Sequence, residues 1–499
     1  MGKDYNLKVN KKLKKYWGFD SLKEKQIEVI NSFLNKNDVI GLLPTGYGKS
    51  LCYLLPPLVK KKVIFIVSPL ISLMEDQKEK LQELNLPVAC LHGNNMRKDK
   101  EIFDIIDGNI KIVYMSPEYL VNGEGFELAK TLFENKMLGF LAVDESHCIS
   151  VWGHDFRNSY LKLKIFREKF PKIPILALTA TATRQVVEEI SNLLNLKEPK
   201  LIKARFDRPN LYLKCVKVDK LYEKIDGEEV ICRDIVNNNL KPYLNKYNDG
   251  SKIIIYMNSR KNCQDMTEVI KSMGFQADCY HAGLSKGLRN KIQTQFSSGN
   301  INIIISTVAF GMGIDQIVRC VLIFGAPSSI EDYYQQIGRA GRDSKPAETI
   351  LFFQYKNIAI SKHLNKKANM DFNIIKHKSR CLDTMARYFY TNTCRRRFIL
   401  EYFGEIPKFF CCSNCDNCCE NDMKDYTVKI HDCLFNKKHV NKVFNSKDVN
   451  ILLKNNIIDI RDRFCQSIHN WKKIIELNHL NKPNKNINNL PNKYRIKLA

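Results

Sequence analysis

The chain has 499 residues, more than one ordinary core needs and enough for two to four domains. Hydrophobic residues make up 44% and charged residues 26%, which excludes a wholly disordered or collagen-like chain. Lys and Arg outnumber Asp and Glu by 79 to 53, and the net charge of +26 favours polyanionic partners through counterion release, although a Lys- and Asn-rich composition bias gives the same excess.

The longest apolar stretch, Val63 to Leu73, is broken by Ser68 and Pro69, so no membrane association is expected. The N-terminus has no apolar signal core. The chain is therefore expected to be intracellular, in a cell or an infected cell, and not secreted. Its 17 cysteines are expected to be reduced.

Short apolar runs recur along the chain, each followed by a polar or glycine-rich turn. The first set is Val39–Leu43, Val63–Val67, Ile112–Met115, Leu138–Val143 and Ile173–Leu178. The second is Ile253–Met257, Ala277–Tyr280, Ile301–Ser306, Cys320–Phe324 and Thr349–Phe353. Amphipathic stretches such as Leu51–Lys60, Ser72–Leu84 and Asn262–Met273 lie between them. This alternation predicts buried parallel strands in α/β layers, in two copies. Leu196 to Asp219, interrupted by Pro199 and Pro209, reads as the connection between them. Polar residues cluster just after the strands, where open α/β sheets bind ligands.

Pro44-Thr45-Gly46-Tyr47-Gly48-Lys49-Ser50 lies between a predicted strand and helix. The glycines let backbone N–H groups turn toward phosphate, Lys49 reaches the terminal phosphates and the Ser50 hydroxyl suits Mg²⁺. Asp144-Glu145-Ser146-His147 follows another strand. Asp144 is placed to hold Mg²⁺ and Glu145 to orient or deprotonate the attacking water. Arg339 and Arg342, in Gly338-Arg339-Ala340-Gly341-Arg342, suit charge developing on a transferring phosphoryl group. ATP would then close the cleft between the two copies.

From about Tyr355 the strand rhythm stops, and Asp371 to Phe403 reads as helical. Cys411, Cys412, Cys415, Cys418 and Cys419 follow within nine residues. Cys412, Cys415 and Cys418, with Cys394 upstream, present four thiols suited to tetrahedral Zn²⁺, an Fe–S cluster being the alternative. Cys411 and Cys419 flank this set and leave its register open. Residues 421–499 carry 16 Lys and Arg against 7 Asp and Glu, with 15 Asn, and two helical stretches are expected at Ser446–Leu453 and Asp459–Leu477.

The order of these motifs resembles the RecQ family of superfamily two DNA helicases. It runs from Gln26 through PTGYGKS, Ser68…Gln77, DESH, Thr179-Ala-Thr-Ala-Thr183, Phe206-Asp-Arg-Pro-Asn210, Tyr280-His-Ala-Gly-Leu284 and Thr307…Asp315 to Gln335…Arg342. Cys148…Arg157 looks like that family's aromatic-rich loop, and the cysteine cluster looks like its zinc module. The resemblance implies an α/β fold of two RecA-like parallel-sheet motor domains (1–205 and 206–355), a small helical zinc-binding domain (356–420) and a basic tail (421–499), a possible degenerate winged helix. It selects the same four zinc ligands.

Phe19, Lys23 and Gln26 match the family's adenine-recognition motif, which usually reads Tyr, Arg and Gln. Tyr47 replaces the usual Gly, Ser146 the usual Ala and Gln336 the usual Glu. Thr45, Gly46, Gly48, Lys49 and Ser50 complete the expected nucleotide site. In the aromatic-rich loop Trp152 and Phe156 are expected to stack on bases, with His147, His154 and Arg157 contacting backbone or relaying the ATP state. Polar neighbours argue for an exposed Trp152. The resemblance implies ATP, Mg²⁺ and Zn²⁺ as cofactors, single-stranded and duplex DNA as partners, and 3′-to-5′ unwinding. An RNA helicase, a non-unwinding translocase and an idle DNA-binding scaffold are the alternatives.

Overall fold

The computed structural model describes residues 5–419, except 94, 96–97, 122, 151, 153–155, 219, 221, 226–227, 233, 309, 311–315 and 368–370. The expected helices of the basic tail lie outside the described residues.

The first unit is a seven-stranded parallel sheet in the order β3-β4-β2-β5-β6-β1-β7. Its strands are β1 (Val39–Leu42), β2 (Val63–Val67), β3 (Val88–Leu91), β4 (Ile112–Met115), β5 (Leu138–Val143), β6 (Ile175–Thr179) and β7 (Lys200–Lys203). Both faces are covered, which is why β2 reads Val-Ile-Phe-Ile-Val without a polar residue. Successive side chains go to opposite cores. Val63, Phe65 and Val67 join Phe166 and Phe170 on one face, whereas Ile64 and Ile66 join Val29, Phe33 and Tyr53 on the other. The start of β1 is fixed by a buried pair: Arg167 donates to both carboxylate oxygens of Asp38 at 2.6 and 2.7 Å, and the Ile175 and Lys197 amides also donate to Asp38. These charge-assisted bonds, both from Nη2, with the two backbone amides taking further lone pairs, offset the desolvation of a buried charge.

Strand β8 (Leu211–Lys217) begins the second unit, followed by a hairpin of β9 (Tyr222–Ile225) and β10 (Glu228–Ile231). Then come β11 (Lys252–Tyr256), β12 (Ala277–Tyr280), β13 (Ile303–Ser306), β14 (Val318–Phe324) and β15 (Ala347–Phe353). Six of these form a sheet in the order β12-β13-β11-β14-β15-β8. Residues 196–219 are therefore not simply a connection. They contain one edge strand of each sheet: β7 pairs with β1, and β8 pairs with β15, all in parallel register. The chain passes from one sheet to the other between Ala204 and Asn210.

The helices Tyr355–Lys367, Phe372–Tyr390 and Arg395–Tyr402 follow β15. Asp371 caps the longest of them by accepting the Asn373 amide at 2.7 Å. The cysteine segment packs in the same continuous core as one face of the second sheet: Leu382, Tyr388, Phe389, Cys394 and Phe403 share it with Ile254, Val321, Ile323 and Leu351. Phe206, in the crossover, stacks on Phe403 with centroids 4.5 Å apart.

Candidate active site and zinc centre

The phosphate loop sits between β1 and the helix Lys49–Lys60. Gly46 and Gly48 adopt φ of 80° and 87°, a left-handed backbone that strains residues with a Cβ. The turn aims successive amides at one point, and the helix N-terminus adds partial positive charge there. Lys49 opens that helix and donates to the Leu43 carbonyl at 3.4 Å. Ser50 stands beside it in the first turn.

Asp144 and Glu145 leave the end of β5, two strands from the loop in the sheet order. Asp144 accepts the Glu145 amide at 3.0 Å and the Tyr53 hydroxyl at 3.4 Å. Burial, together with the Glu145 charge, raises its carboxyl to about 6. Glu145 has a left-handed φ of 46° and faces His147 at 3.3 Å. Burial opposes a charge on His147, but the Cys148 thiol and Glu145 outweigh it and raise its pKa to about 10. The same ring nitrogen lies 2.9 Å from the Thr179 hydroxyl at the end of β6. His147 therefore links the acidic strand end to the neighbouring strand end instead of facing solvent.

The second unit closes the other side of this site. A Cβ at Gly46 would lie 3.3 Å from Arg342 Cγ, and one at Gly338 would lie 3.1 Å from Thr45 Cβ. The arginine turn thus rests on the phosphate loop. Burial raises the Tyr256 phenol, and the nearby guanidinium groups of Arg339 and Arg342 pull against that rise. Arg208 fastens the two loops. It donates to the Ala340 and Gly341 carbonyls at 2.8 and 2.9 Å and reaches the Thr45 carbonyl at 3.5 Å. Asn210 adds bonds to Gly341 and Lys345, both at 2.9 Å. The motif holding Arg208 and Asn210 is visible in the sequence, but their role as a staple is not, because carbonyl acceptors leave no mark on a sequence.

Gln26 braces the phosphate loop from behind, donating to the Tyr47 and Gly48 carbonyls at 3.0 and 2.9 Å. Phe19 is 54% exposed, leaving a ring face open for stacking. Two departures from the family pattern meet each other: the Lys23 ammonium lies 4.7 Å from the centroid of the Tyr47 ring and donates to Gly46. Burial, then the Arg208 charge, lowers the Lys23 pKa.

The aromatic-rich loop differs from its expected exposure. Trp152 is partly buried against the core of the first unit, and its ring meets His377 edge-on at 5.0 Å. An indole offers too much apolar surface to leave in water when a helix of the cysteine segment lies within reach. Phe156 is half-buried, and Arg157 donates to the Pro69 carbonyl at 2.6 Å. His154 lies outside the described residues.

The sulfurs of Cys394, Cys412, Cys415 and Cys418 lie within 4.8 Å of one another. Those of Cys412 and Cys418 are 3.9 Å apart, close to the roughly 3.8 Å that tetrahedral zinc–thiolate bonds require. Thiol–thiol hydrogen bonds drive the set apart in proton affinity: its three partners pull Cys415 far down, while Cys418 is pushed far up. Cys411, near Ser413, and the exposed Cys419 stand outside the quartet. Arg395 pairs with Asp416, which accepts the Cys215 amide at 2.9 Å, tying the quartet to β8.

Two RecA-like sheets sharing a phosphate loop, an acidic strand end and an arginine turn define an ATP-dependent helicase motor. The comparisons agree. The DEAD/DEAH box helicase family matches residues 23–190, the helicase conserved C-terminal domain matches 234–344, and the RecQ zinc-binding family matches 355–419. A protein of Acanthamoeba polyphaga mimivirus, provisionally named as an ATP-dependent RNA helicase, is 39% identical over 83% of this chain and 72% of its own length. The ATP-dependent DNA helicase RecQ of Haemophilus influenzae is 37% identical over 83% of this chain and 64% of its own. The fold is also similar to the crystal structure of the helicase MrfA bound to DNA, with a TM-score of 0.57 and 19% identity over 77% of this chain and 58% of that one. The chain belongs to the RecQ family of superfamily two helicases. Among the described residues no helix is long and apolar enough to cross a membrane.

Proposed function

We propose that this chain couples ATP hydrolysis to 3′-to-5′ movement along single-stranded DNA and to displacement of the partner strand, acting inside the cell wherever that DNA lies. The observation that carries the reading is the seat of Arg342 on Gly46, one motor unit's cation on the other's phosphate loop.

In this reading Phe19 stacks on the base, and Lys23 and Gln26 position it. The amides of Thr45 to Ser50 and the Lys49 ammonium hold the phosphates. Ser50 and Asp144 fit Mg²⁺: a hydroxyl and a buried carboxylate of raised pKa are oxygen donors suited to a hard cation. Magnesium there would offset phosphate charge. Glu145 takes the proton of the attacking water, and Arg342 and Arg339 stabilise charge on the transferring group. His147 passes the state of Glu145 to Thr179 and the strand ends behind it. The Trp152–His377 contact connects that end of the site to the cysteine segment. Zinc at Cys394, Cys412, Cys415 and Cys418 leaves no open position, so its part is structural. The units are assigned as 1–205, 206–355, 356–420 and 421–499, the last adding duplex-backbone affinity through its basic residues.

The mimivirus relative's name supports a second reading, an RNA helicase. ATPase rates with single-stranded DNA, single-stranded RNA or neither separate the two. Stimulation by DNA alone, followed by strand displacement from a 3′ overhang, is the expected result. RNA-selective stimulation would replace the reading, and displacement from 5′ overhangs only would reverse the polarity.

A further inference from the structure

A second group of metal-ligating side chains lies on the far edge of the first sheet. Cys90 ends β3 one residue before its last, and His92 follows two positions later, so both side chains leave the same face of the strand. That face meets the helix Ile71–Glu83, on which Glu75 projects. His92 Nε2 lies 3.0 Å from Glu75 Oε1, and the donor atoms of Glu75, Cys90 and His92 all fall within 4.8 Å of one another. Cys90 is 0% and His92 6% exposed, whereas the Glu75 side chain is 25% exposed. The trio thus has a buried floor of sulfur and imidazole and a carboxylate at its open rim.

The neighbouring acid is already engaged. Glu101 pairs with Lys78 and accepts the Cys90 amide at 3.0 Å. Glu75 is different, since its second oxygen faces Lys286 of the second unit at 3.3 Å. Lys286 is 64% exposed and free to swing into solvent. The Glu75 carboxylate is thus a joint between the two motor units as well as a donor in the trio.

We propose that Glu75, Cys90 and His92 form a second, exchangeable site for a zinc-type divalent cation, with three protein ligands and one position open to water. One thiolate and one carboxylate neutralise the double charge, and the neutral imidazole completes a donor set that borderline-soft metals prefer. Binding exchanges the Cys90 thiol proton, released to solvent, for a metal–sulfur bond. Two cations then face one carboxylate, so metal and Lys286 compete for Glu75. Occupancy loosens the contact between the helices Ile71–Glu83 and Lys286–Ser298.

The test is metal stoichiometry on the full, zinc-loaded chain across a chelator-buffered Zn²⁺ series, read by elemental analysis. The parent is expected to carry the quartet's equivalent throughout and to gain a second as free Zn²⁺ rises. Cys90→Ser should keep the first equivalent, which shows that it has folded, and lose the second. Lys286→Gln, a change on an exposed side chain of the other unit, should bind the second equivalent several-fold more tightly. A single equivalent at every Zn²⁺ level, or a second that survives Cys90→Ser, overturns the site. An unchanged second affinity in Lys286→Gln overturns the competition.

Discussion

The cleft between the two sheets and the seat of the cysteine segment are both interfaces, but they are built differently. Across the cleft the polar contacts are long: Arg208 to the Thr45 carbonyl at 3.5 Å and Lys286 to Glu75 at 3.3 Å. The cysteine segment is held by shorter bonds, buried or partly buried. Arg396 donates to Leu211 at 2.8 Å, Cys215 to Asp416 at 2.9 Å, and Phe206 to Glu405 at 2.7 Å. The stacked Phe206–Phe403 pair adds about 0.5–1.5 kcal/mol beyond its buried area. Weak polar contacts around a charged pocket suit a joint that opens and closes, and dense apolar packing suits a fixed bracket. The cysteine quartet braces β8 of the second sheet through Asp416, while Lys203 of the first unit reaches the same segment at the Phe403 carbonyl, 2.7 Å away.

The largest effects are expected where the cleft does chemistry. Lys49→Ala and Glu145→Gln should each lower the ATPase kcat by at least about 10². Glu145→Gln should still bind ATP, because the phosphate loop is intact, as a fluorescent-nucleotide titration would show. Near-parental turnover in either variant breaks the assignment of the cleft as the catalytic joint.

The bracket is tested next. Cys415→Ser should lose the zinc and raise hydrogen exchange over residues 395–419, since binding energy at a closed site is folding energy. Protection there equal to the parent's would mean that the apolar core alone holds the segment. Stoichiometric iron with visible absorbance would replace zinc.

Much of this contrast is legible in the sequence. The strands β2, β4 and β5 match their apolar runs residue for residue, because a strand buried on both faces leaves no polar alternation to blur its ends; β12, a half-buried edge strand, matches as well. β7 and β8 are harder to read. Lys200-Leu-Ile-Lys203 and Leu-Tyr-Leu-Lys-Cys-Val-Lys217 are edge strands whose lysines, three apart, fall on both faces and break the apolar run, and β8 pairs with β15 far along the chain. β3, four residues including Ala89 and Cys90, is too short and mild to stand out. The phosphate loop, acidic pair and arginines are readable because each is a local pattern. Arg208, by contrast, acts on carbonyls of residues more than a hundred positions away on either side. Cys411 and Cys412 are adjacent and chemically identical, so only the folded geometry separates ligand from bystander.

Two smaller effects sharpen the contrast. Arg208→Ala removes the staple and leaves the Ala340 carbonyl short of a donor, while Asn210 still donates to Gly341, a loss of about 1–3 kcal/mol. The expected result is a fall of about tenfold in kcat with ATP affinity and zinc content unchanged. Zinc loss in that variant would show that cleft and bracket are one structure. Smallest is the Lys23–Tyr47 pair, whose ammonium–ring attraction is about 0.5–1 kcal/mol. Tyr47→Gly should shift the KM for ATP by a few-fold, and the same change in a Lys23→Ala background should shift it less. Additive shifts would mean that the two residues act separately.

The central claim is that one unit's arginine completes the other unit's ATPase. The most direct measurement is kcat of Arg342→Ala at saturating ATP and single-stranded DNA, beside its ATP affinity. A loss of about 10³ or more in kcat, with affinity within a few-fold of the parent, is the predicted result. Parental kcat, or loss of nucleotide binding in place of turnover, would contradict it.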